Sequence, residues 1–167
     1  MRFPVLALAL LLTGCAMPEV RLAPDSAWDS TNVFARIQRG ELPAAIVYQD
    51  ARLLVIMDHA PIAPGHVLVL SKIARARDLI DVAPGDLAPM MAMARRIAAA
   101  QRDGLGATGS TMMIDNGSQQ TVDSLHIHVV PAYGAKPIEW SARTAIQAIP
   151  ELVPLATTIR TALNAQR

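Results

Sequence analysis

Residues 120–131 read Gln-Thr-Val-Asp-Ser-Leu-His-Ile-His-Val-Val-Pro, and this stretch has the alternating polarity of a half-buried strand. Successive side chains of a β-strand point to opposite faces of its sheet. One face is therefore expected to carry a hydroxyl and two imidazoles, from Ser124, His126 and His128. The other face is aliphatic. Imidazoles change charge near neutral pH, so the polar face is suited to nucleophilic or acid–base chemistry.

The hydrophobic pattern elsewhere in the chain predicts the elements around this strand. We predict five strands, at residues 44–49, 53–57, 66–70, 111–114 and 125–130. We predict three helices, at residues 32–39, 87–101 and 151–165. Asp103-Gly104 is expected to end the second helix, and Pro154 to lie in the first turn of the third. Strands with one long helix among them indicate an α+β domain with a mainly antiparallel sheet.

The first fifteen residues end in the one cysteine of the chain. They consist of a basic residue, an apolar run at 5–12 and small residues before Cys15. This run is shorter than the about 20 residues of a membrane-spanning helix, so it predicts a secretory signal. Residues 12–15, Leu-Thr-Gly-Cys, resemble the lipobox of bacterial lipoproteins. That resemblance implies export, lipidation of Cys15 and anchoring of the protein on the periplasmic side of the bacterial cell envelope.

The rest of the chain suits a single domain with a hydrophobic core. Residues 16–31 are expected to form a tether, 32–135 the domain and 136–167 a C-terminal extension with a terminal helix. The 15 basic and 14 acidic residues include no basic block, and Phe, Trp and Tyr occur only twice each. The chain therefore lacks the footprint of a nucleic-acid-binding protein. One cysteine excludes an intramolecular disulfide and a cysteine-rich metal site.

Two segments together resemble the histidine triad (HIT) family of nucleotide hydrolases and transferases. Residues 58–66 read Asp-His-Ala-Pro-Ile-Ala-Pro-Gly-His, which is similar to the family's Asp followed by Pro-x-x-Pro-Gly-His. Residues 124–128, Ser-Leu-His-Ile-His, are similar to its His-x-His-x-His. Residues 34–43 also resemble the family's opening helix and turn. The resemblance extends over about residues 32–131 and implies the HIT-like fold.

The resemblance also implies a role for each motif residue. His126 matches the nucleophile that attacks the α-phosphate of a nucleotide, and His128 matches the third histidine, which contacts phosphate and helps the leaving group. Ser124 stands where the family has its first histidine, which implies weakened catalysis. Six further residues are expected to bind the nucleotide: Asp58 at the ribose, His59 and His66 nearby, Asn116 in the preceding loop, and Gln120 and Thr121 at the phosphate.

The chemistry of imidazole is consistent with these roles. A neutral imidazole can attack phosphorus to give a phosphohistidine, which water then opens. A second, cationic imidazole or a backbone N–H can stabilise the phosphoryl charge. This scheme requires no metal and no cofactor. The expected substrate is a nucleoside phosphoramidate, a dinucleoside polyphosphate or another phosphoester, and the resemblance implies a homodimer.

A metal centre is a second interpretation of these residues. His126 and His128 present two imidazoles on one strand face, as in many zinc sites. A third ligand could come from His66, His59 or Asp58.

Several single residues, and the activity itself, also admit a second interpretation. Asp58 could cap the turn that follows it, and His66 could shape its loop by hydrogen bonding to the backbone. Asp115 is expected either in a turn or at the site. Because of Ser124, a catalytically weak nucleotide-binding or interaction module on the same fold also fits the sequence.

Overall fold

The computed structural model describes residues 28–135, 137–141 and 143–166. Its elements in chain order are α1 Val33–Gln38, β1 Ile46–Gln49, β2 Leu53–Met57, β3 Val67–Ser71, α2 Pro84–Leu105, β4 Gly109–Met113, β5 His126–Ala132 and α3 Ile149–Asn164. The expected signal segment, Cys15 and most of the expected tether lie outside the described residues. Of the helices described, none has both the length and the apolar character that crossing a membrane requires.

The five strands form one antiparallel sheet in the order β1-β2-β3-β5-β4. This confirms the predicted α+β class and the predicted five-stranded sheet. β5 lies between β3 and β4, with His128 paired to Leu68 on one side and to Met113 on the other. Because β5 is hydrogen-bonded along both edges, the direction of its histidine side chains is fixed by the sheet.

The two faces of the sheet are covered by different helices. α2 and α3 pack on one face and form a core with the aliphatic side of β5. Buried residues of this core include Val55, Val69, Met90, Ile97, Ile127 and Val129. A smaller apolar cluster covers the other face, where Phe34 of α1 meets Leu54, Ile56, Leu68 and Leu70. Residues paired directly across an antiparallel ladder share a face. His126 and His128, paired with Leu70 and Leu68, therefore lie on the α1 side.

The turn before β3 packs closely against α2. Gly65 has a φ of 93°, in the left-handed region that favours glycine, and a Cβ there would lie 2.5 Å from Leu105 Cδ1. The buried side-chain nitrogen of Gln101 donates to the carbonyls of Gly65 at 2.9 Å and of Val129 at 3.0 Å. Gln101 thus ties the start of β3 to β5, which brings His66 beside His128.

The end of α2 differs from the sequence prediction. Gly104 does not end the helix but lies at its contact with α3, where an added Cβ would be 3.1 Å from Ala162 Cβ. Its missing side chain permits that close approach. The helix runs on to Leu105, and Gly106 caps it in the left-handed conformation.

The start of α3 also differs from the prediction. The helix begins at Ile149, so Pro150 rather than Pro154 occupies its first turn. A proline in the first turn costs no helical hydrogen bond, because the first N–H groups have no partner within the helix. Pro154 lies inside the helix instead.

Candidate active site

β5 places two imidazole rings side by side beneath α1. His126 and His128 are 3% and 2% exposed, and their ring centroids are 4.6 Å apart. Phe34 of α1 contacts the His126 ring edge-on at 5.0 Å. The predicted polar face of the strand therefore holds both histidines, but in an almost fully buried setting.

The hydrogen bond of His126 defines which of its nitrogens is free. Its Nδ1 lies 2.7 Å from the backbone carbonyl of Ser124. A carbonyl can only accept, so Nδ1 carries the proton and Nε2 keeps its lone pair. Burial lowers the pKa of His126, and the opposing effect of the Ser124 carbonyl is smaller. His126 is thus a neutral ring with an unprotonated Nε2, the form that can attack phosphorus.

His66 and His128 form a second imidazole pair. Nε2 of His66 lies 2.9 Å from Nδ1 of His128, and the Ile62 N–H lies 3.3 Å from Nδ1 of His66. A backbone N–H can only donate, so His66 carries its proton on Nε2 and donates it to His128. The proton of neutral His128 is then on Nε2, which has no hydrogen-bond partner among the described residues. A buried donor in this position is available to an acceptor on a ligand.

Both members of this pair are neutral. Burial is the largest cause that lowers the pKa of His66, and it outweighs the opposing charge of Asp58. Burial also lowers the pKa of His128 strongly, and the charges of His126, His66 and Arg143 act in the same direction. Of the two phosphate-stabilising groups that the sequence analysis considers, a cationic imidazole and a backbone N–H, the lowered pKa values do not favour the cationic imidazole. His128 is a neutral hydrogen-bond donor, because the fold removes it from water.

Asp58 connects the Pro-Gly-His loop to the histidine pair. Its Oδ1 accepts from the Ala60 N–H at 2.9 Å, which confirms that it caps the following turn. Its Oδ2 lies 3.4 Å from Nδ1 of His66, 3.9 Å from Nδ1 of His128 and 3.6 Å from Nη1 of Arg143. The Asp58 carboxylate therefore caps the loop and lies close to the histidine pair and to Arg143.

A cavity of about 310 Å³, a size typical of small-molecule sites, opens beside the two strand histidines. Asp58, His59 and Thr121, three of the residues expected to bind the nucleotide, line it together with His126 and His128. Its apolar wall consists of Val33, Phe34, Ile37, Ile56, Leu68 and Val122. The cavity suits a ligand with one apolar part and one polar group that reaches the imidazoles.

Asn116 and Gln120 support the loop before β5 rather than line the cavity. Asn116 Oδ1 accepts from the Leu79 N–H at 2.8 Å, and Gln120 Nε2 donates to the Arg77 carbonyl at 2.7 Å. Between them lies a 3₁₀ turn at Gly117–Gln119. The structure therefore gives Asn116, predicted in this loop, and Gln120, predicted at the phosphate, a role in holding the loop against residues 77–79.

Ser124 contacts the nucleophile through its backbone, not through its hydroxyl. Its Oγ accepts a long hydrogen bond, 3.4 Å, from the indole N–H of Trp28, while its carbonyl binds His126. Asp115, in contrast, lies close to the site, with Oδ2 3.8 Å from Nε2 of His128.

A buried trio of metal-ligand type is present, but it differs from the trio expected for a metal centre. Ligand atoms of Asp58, His66 and His128 lie within 4.8 Å of one another, and His126 is not among them. The facing nitrogens of His66 and His128 are joined by a hydrogen bond. These two nitrogens are thus hydrogen-bonded to each other, and this arrangement favours a hydrogen-bonded imidazole pair over a metal centre.

Sequence reasoning missed the contribution of the C-terminal segment to the cavity. Arg143 and Ile146 line it, and the Trp140 ring lies 6.5 Å from the His128 ring in an edge-on orientation. None of these residues belongs to a spaced motif, so the sequence offered no signal for them.

Hydrogen bonds fasten this segment to the Pro-Gly-His loop. The backbone N–H and the hydroxyl of Thr144 donate to the Pro61 carbonyl at 3.1 and 3.0 Å. The Gln147 N–H donates to the His59 carbonyl at 2.7 Å. The segment is therefore a structural wall of the site.

Comparison with known proteins identifies the family and the fold. The family model described as "HIT domain" matches residues 39–135. The chain belongs to the HIT family. The family includes nucleotide hydrolases and transferases, and HIT proteins bind nucleotides and often form dimers.

Individual HIT proteins are similar to different extents. An uncharacterized HIT-like protein of Mycobacterium tuberculosis is 42% identical over 101 residues, which are 59% of this chain and 69% of that protein. The crystal structure of a Hit-like protein involved in cell-cycle regulation from Bartonella henselae, with an unknown ligand, is 36% identical. It has a TM-score of 0.75 and covers 81% of this chain and 98% of its own. The adenylylsulfatase HINT3 of Arabidopsis thaliana is 31% identical over 101 residues, 59% of this chain and 51% of that protein.

Proposed function

We propose that this protein is a nucleotide phosphohydrolase or nucleotidyl transferase in which His126 attacks the α-phosphate. The observation that carries the proposal is the hydrogen bond from His126 Nδ1 to the Ser124 carbonyl, which leaves Nε2 unprotonated at the cavity. Membership of the HIT family supports it, because the family includes enzymes of this kind.

In the first step the lone pair of His126 Nε2 forms a bond to phosphorus. The bond from phosphorus to the leaving group breaks, and the leaving group departs with the electron pair. The phosphorylated imidazole keeps its Nδ1 proton and becomes positively charged, so the Ser124 carbonyl stabilises it as a hydrogen-bond acceptor. The free Nε2–H of His128 donates to a phosphoryl oxygen.

In the second step an acceptor releases the nucleotide. The oxygen of water attacks phosphorus, the bond to Nε2 breaks, and its electron pair returns to His126 as the lone pair. The proton of the attacking water passes to solvent, and the product is a nucleoside monophosphate. A transferase follows the same step with another nucleophile in place of water.

The neutral histidines favour leaving groups that depart as stable anions. At neutral pH neither His66 nor His128 carries a surplus proton to give to an amine, because burial lowers the pKa of both rings. Sulfate and phosphate need no such proton. Adenylyl sulfate is therefore the first substrate to test, and one HIT relative is named an adenylylsulfatase.

The test is turnover of a nucleotide panel by the purified chain. The panel contains adenylyl sulfate, a dinucleoside polyphosphate and an adenosine phosphoramidate. We expect turnover of at least one member and its loss in His126→Ala, while Arg102→Gln, an exposed change on α2, leaves it unchanged. Equal, slow hydrolysis by the wild type and His126→Ala would refute the enzymatic role.

A catalytically weak nucleotide-binding module is the second candidate. It is motivated by Ser124, whose hydroxyl is bound by Trp28 and does not act on His126. Calorimetry that shows nucleotide binding by a wild type without turnover would favour this candidate.

We also propose that the protein is exported, lipid-anchored and dimeric. The lipobox-like ending at Cys15 motivates the anchor, and the frequent dimers of the HIT family motivate the oligomer. Palmitate labelling of cells that express the chain should be lost in Cys15→Ser. Sedimentation of the purified protein distinguishes a dimer from a monomer.

A further inference from the structure

The groups around the cavity offer little positive charge to an anionic ligand. Asp58 lines the cavity, and the carboxylate of Asp115 lies 3.8 Å from Nε2 of His128. The strand histidines are neutral. Among the described residues that line the cavity, Arg143 is the one arginine and there is no lysine. Without it, a phosphoryl group would meet two carboxylates and no fixed positive charge.

Arg143 is held in place but retains donors for a ligand. Its Nη1 lies 3.6 Å from Oδ2 of Asp58, beyond the length of a hydrogen bond. The next residue, Thr144, is fastened twice to the Pro61 carbonyl, so the backbone that carries the guanidinium is fixed. A guanidinium presents five N–H donors in a planar fork that matches two phosphoryl oxygens.

We infer that Arg143 binds the phosphoryl oxygens of the bound nucleotide, so the C-terminal segment beyond residues 39–135 supplies the positive charge of the site. The inference rests on the proposed function in taking a nucleotide as the ligand. The same Asp58 oxygen is 3.6 Å from Arg143 and 3.9 Å from Nδ1 of His128, so the cation and the phosphoryl-facing ring flank one carboxylate. Asp58 then orients Arg143.

This role makes the site selective for the charge of its ligand. His126 and His128 would contact the reacting phosphorus and its oxygens as neutral groups, and Arg143 would distinguish a nucleotide from its uncharged nucleoside. A structural role for Arg143 makes a different prediction. If it only neutralised Asp58 and fixed the loop, its removal would weaken both ligands alike.

The experiment is calorimetric titration of the full chain with AMP and with adenosine. AMP is a product under the proposed function, so its binding requires no turnover. Arg143→Gln should weaken AMP binding about tenfold or more, as the loss of a charged hydrogen bond does, and leave adenosine within about twofold. Arg143→Lys keeps the charge but not the fork and should recover part of the affinity. Arg102→Gln removes a positive charge from the exposed face of α2 and should change neither ligand.

Each remaining outcome has a definite meaning. Equal loss for AMP and adenosine in Arg143→Gln, or no loss for AMP, overturns the inference, and so does a wild type that binds neither ligand. If the AMP-specific loss appears but no substrate is turned over, the inference stands and the proposed catalysis fails. If Arg143→Gln does not fold, the salt dependence of the wild type decides. AMP binding must then weaken with salt while adenosine binding does not.

Discussion

Nε2 of His66 donates its proton to Nδ1 of His128 across 2.9 Å, and this bond fixes the remaining proton of His128 on the nitrogen without a partner in the described chain. His66 comes from the Pro-Gly-His loop and His128 from the central strand. The bond therefore joins the two sequence motifs physically. Through it, the loop determines which donor the strand presents to a ligand.

Removing the donor of His66 should impair catalysis without emptying the cavity. His66→Phe keeps a ring but leaves Nδ1 of His128 without its donor, and the loss of a buried hydrogen bond costs about 1–3 kcal/mol. We expect kcat to fall about tenfold to a hundredfold. His66→Gln, whose amide can donate in place of the imidazole, should retain more activity than His66→Phe.

Nitrogen-15 NMR of the imidazole rings provides a direct readout. In the wild type, Nε2 of His128 should be protonated and Nε2 of His126 should not. If His128 shows its proton on Nδ1, the direction of the hydrogen bond derived from Ile62 is wrong.

Replacing the hydroxyl of Ser124 should have little effect on turnover. Ser124→Ala retains the backbone carbonyl that orients His126, and it removes only the long hydrogen bond from Trp28. We expect kcat within about threefold of the wild type, which corresponds to less than about 1 kcal/mol. Initial rates on the best substrate of the panel provide the check. A loss of activity comparable to that of His126→Ala would show that the hydroxyl itself takes part.

Stability should fall as the solution becomes acidic. Burial lowers the pKa of His66, His126 and His128 below the ordinary value of 6.5. The unfolded chain therefore binds more protons below about pH 6.5, and protonation favours unfolding there. Their contribution is complete above pH 6.5 and is lost as pH falls towards the lowered pKa values.

Urea unfolding at a series of pH values tests this dependence. The free energy of unfolding should be steady above about pH 7 and decline from about pH 6.5 downward. His126→Phe should make the decline less steep, because one group of lowered pKa is gone. A free energy that rises between about pH 6.5 and 5 would contradict the assignment of neutral rings.

A side chain at Gly65, in the turn before His66, should destabilise the protein. In Gly65→Ala the new Cβ combines a φ of 93° with a clash 2.5 Å from Leu105 Cδ1. Gly40→Ala is the matched control, since its φ is 75° and no atom lies within 4 Å of the added Cβ. We expect Gly40→Ala to cost about 1 kcal/mol of unfolding free energy and Gly65→Ala about 1 kcal/mol more, because Leu105 Cδ1 is the end of a side chain that can move aside at a moderate cost. Equal costs in denaturant unfolding would show that the contact with α2 is not tight.

The sequence predicts the strands well, because β2 and β3 are nearly continuous apolar runs and the side chains of any strand alternate between the two faces of its sheet. Thus the shared face of His126 and His128 follows from residue spacing alone. Their neutrality does not, since it depends on the cover that Phe34 and the loops provide. The direction of the Gln120 side chain likewise depends on a carbonyl 43 positions earlier in the chain.

The C-terminal wall of the site illustrates the same limit. Arg143 and Ile146 reach the cavity only because Thr144 and Gln147 bond to the 59–61 loop, more than eighty residues away in sequence. No periodicity or motif spacing reports such contacts. The position where α2 ends is also mispredicted, because Gly104 serves as a packing contact with Ala162 of α3 rather than as a helix terminator.

The central claim is that His126 forms a covalent bond to the nucleotide, and mass spectrometry of the rapidly quenched reaction tests it most directly. We expect a nucleotidyl adduct on His126 during turnover of the best substrate, and its absence in His126→Ala. Turnover with the adduct on another residue would contradict this mechanism. So would equal turnover rates of the wild type and His126→Ala with no adduct on either protein.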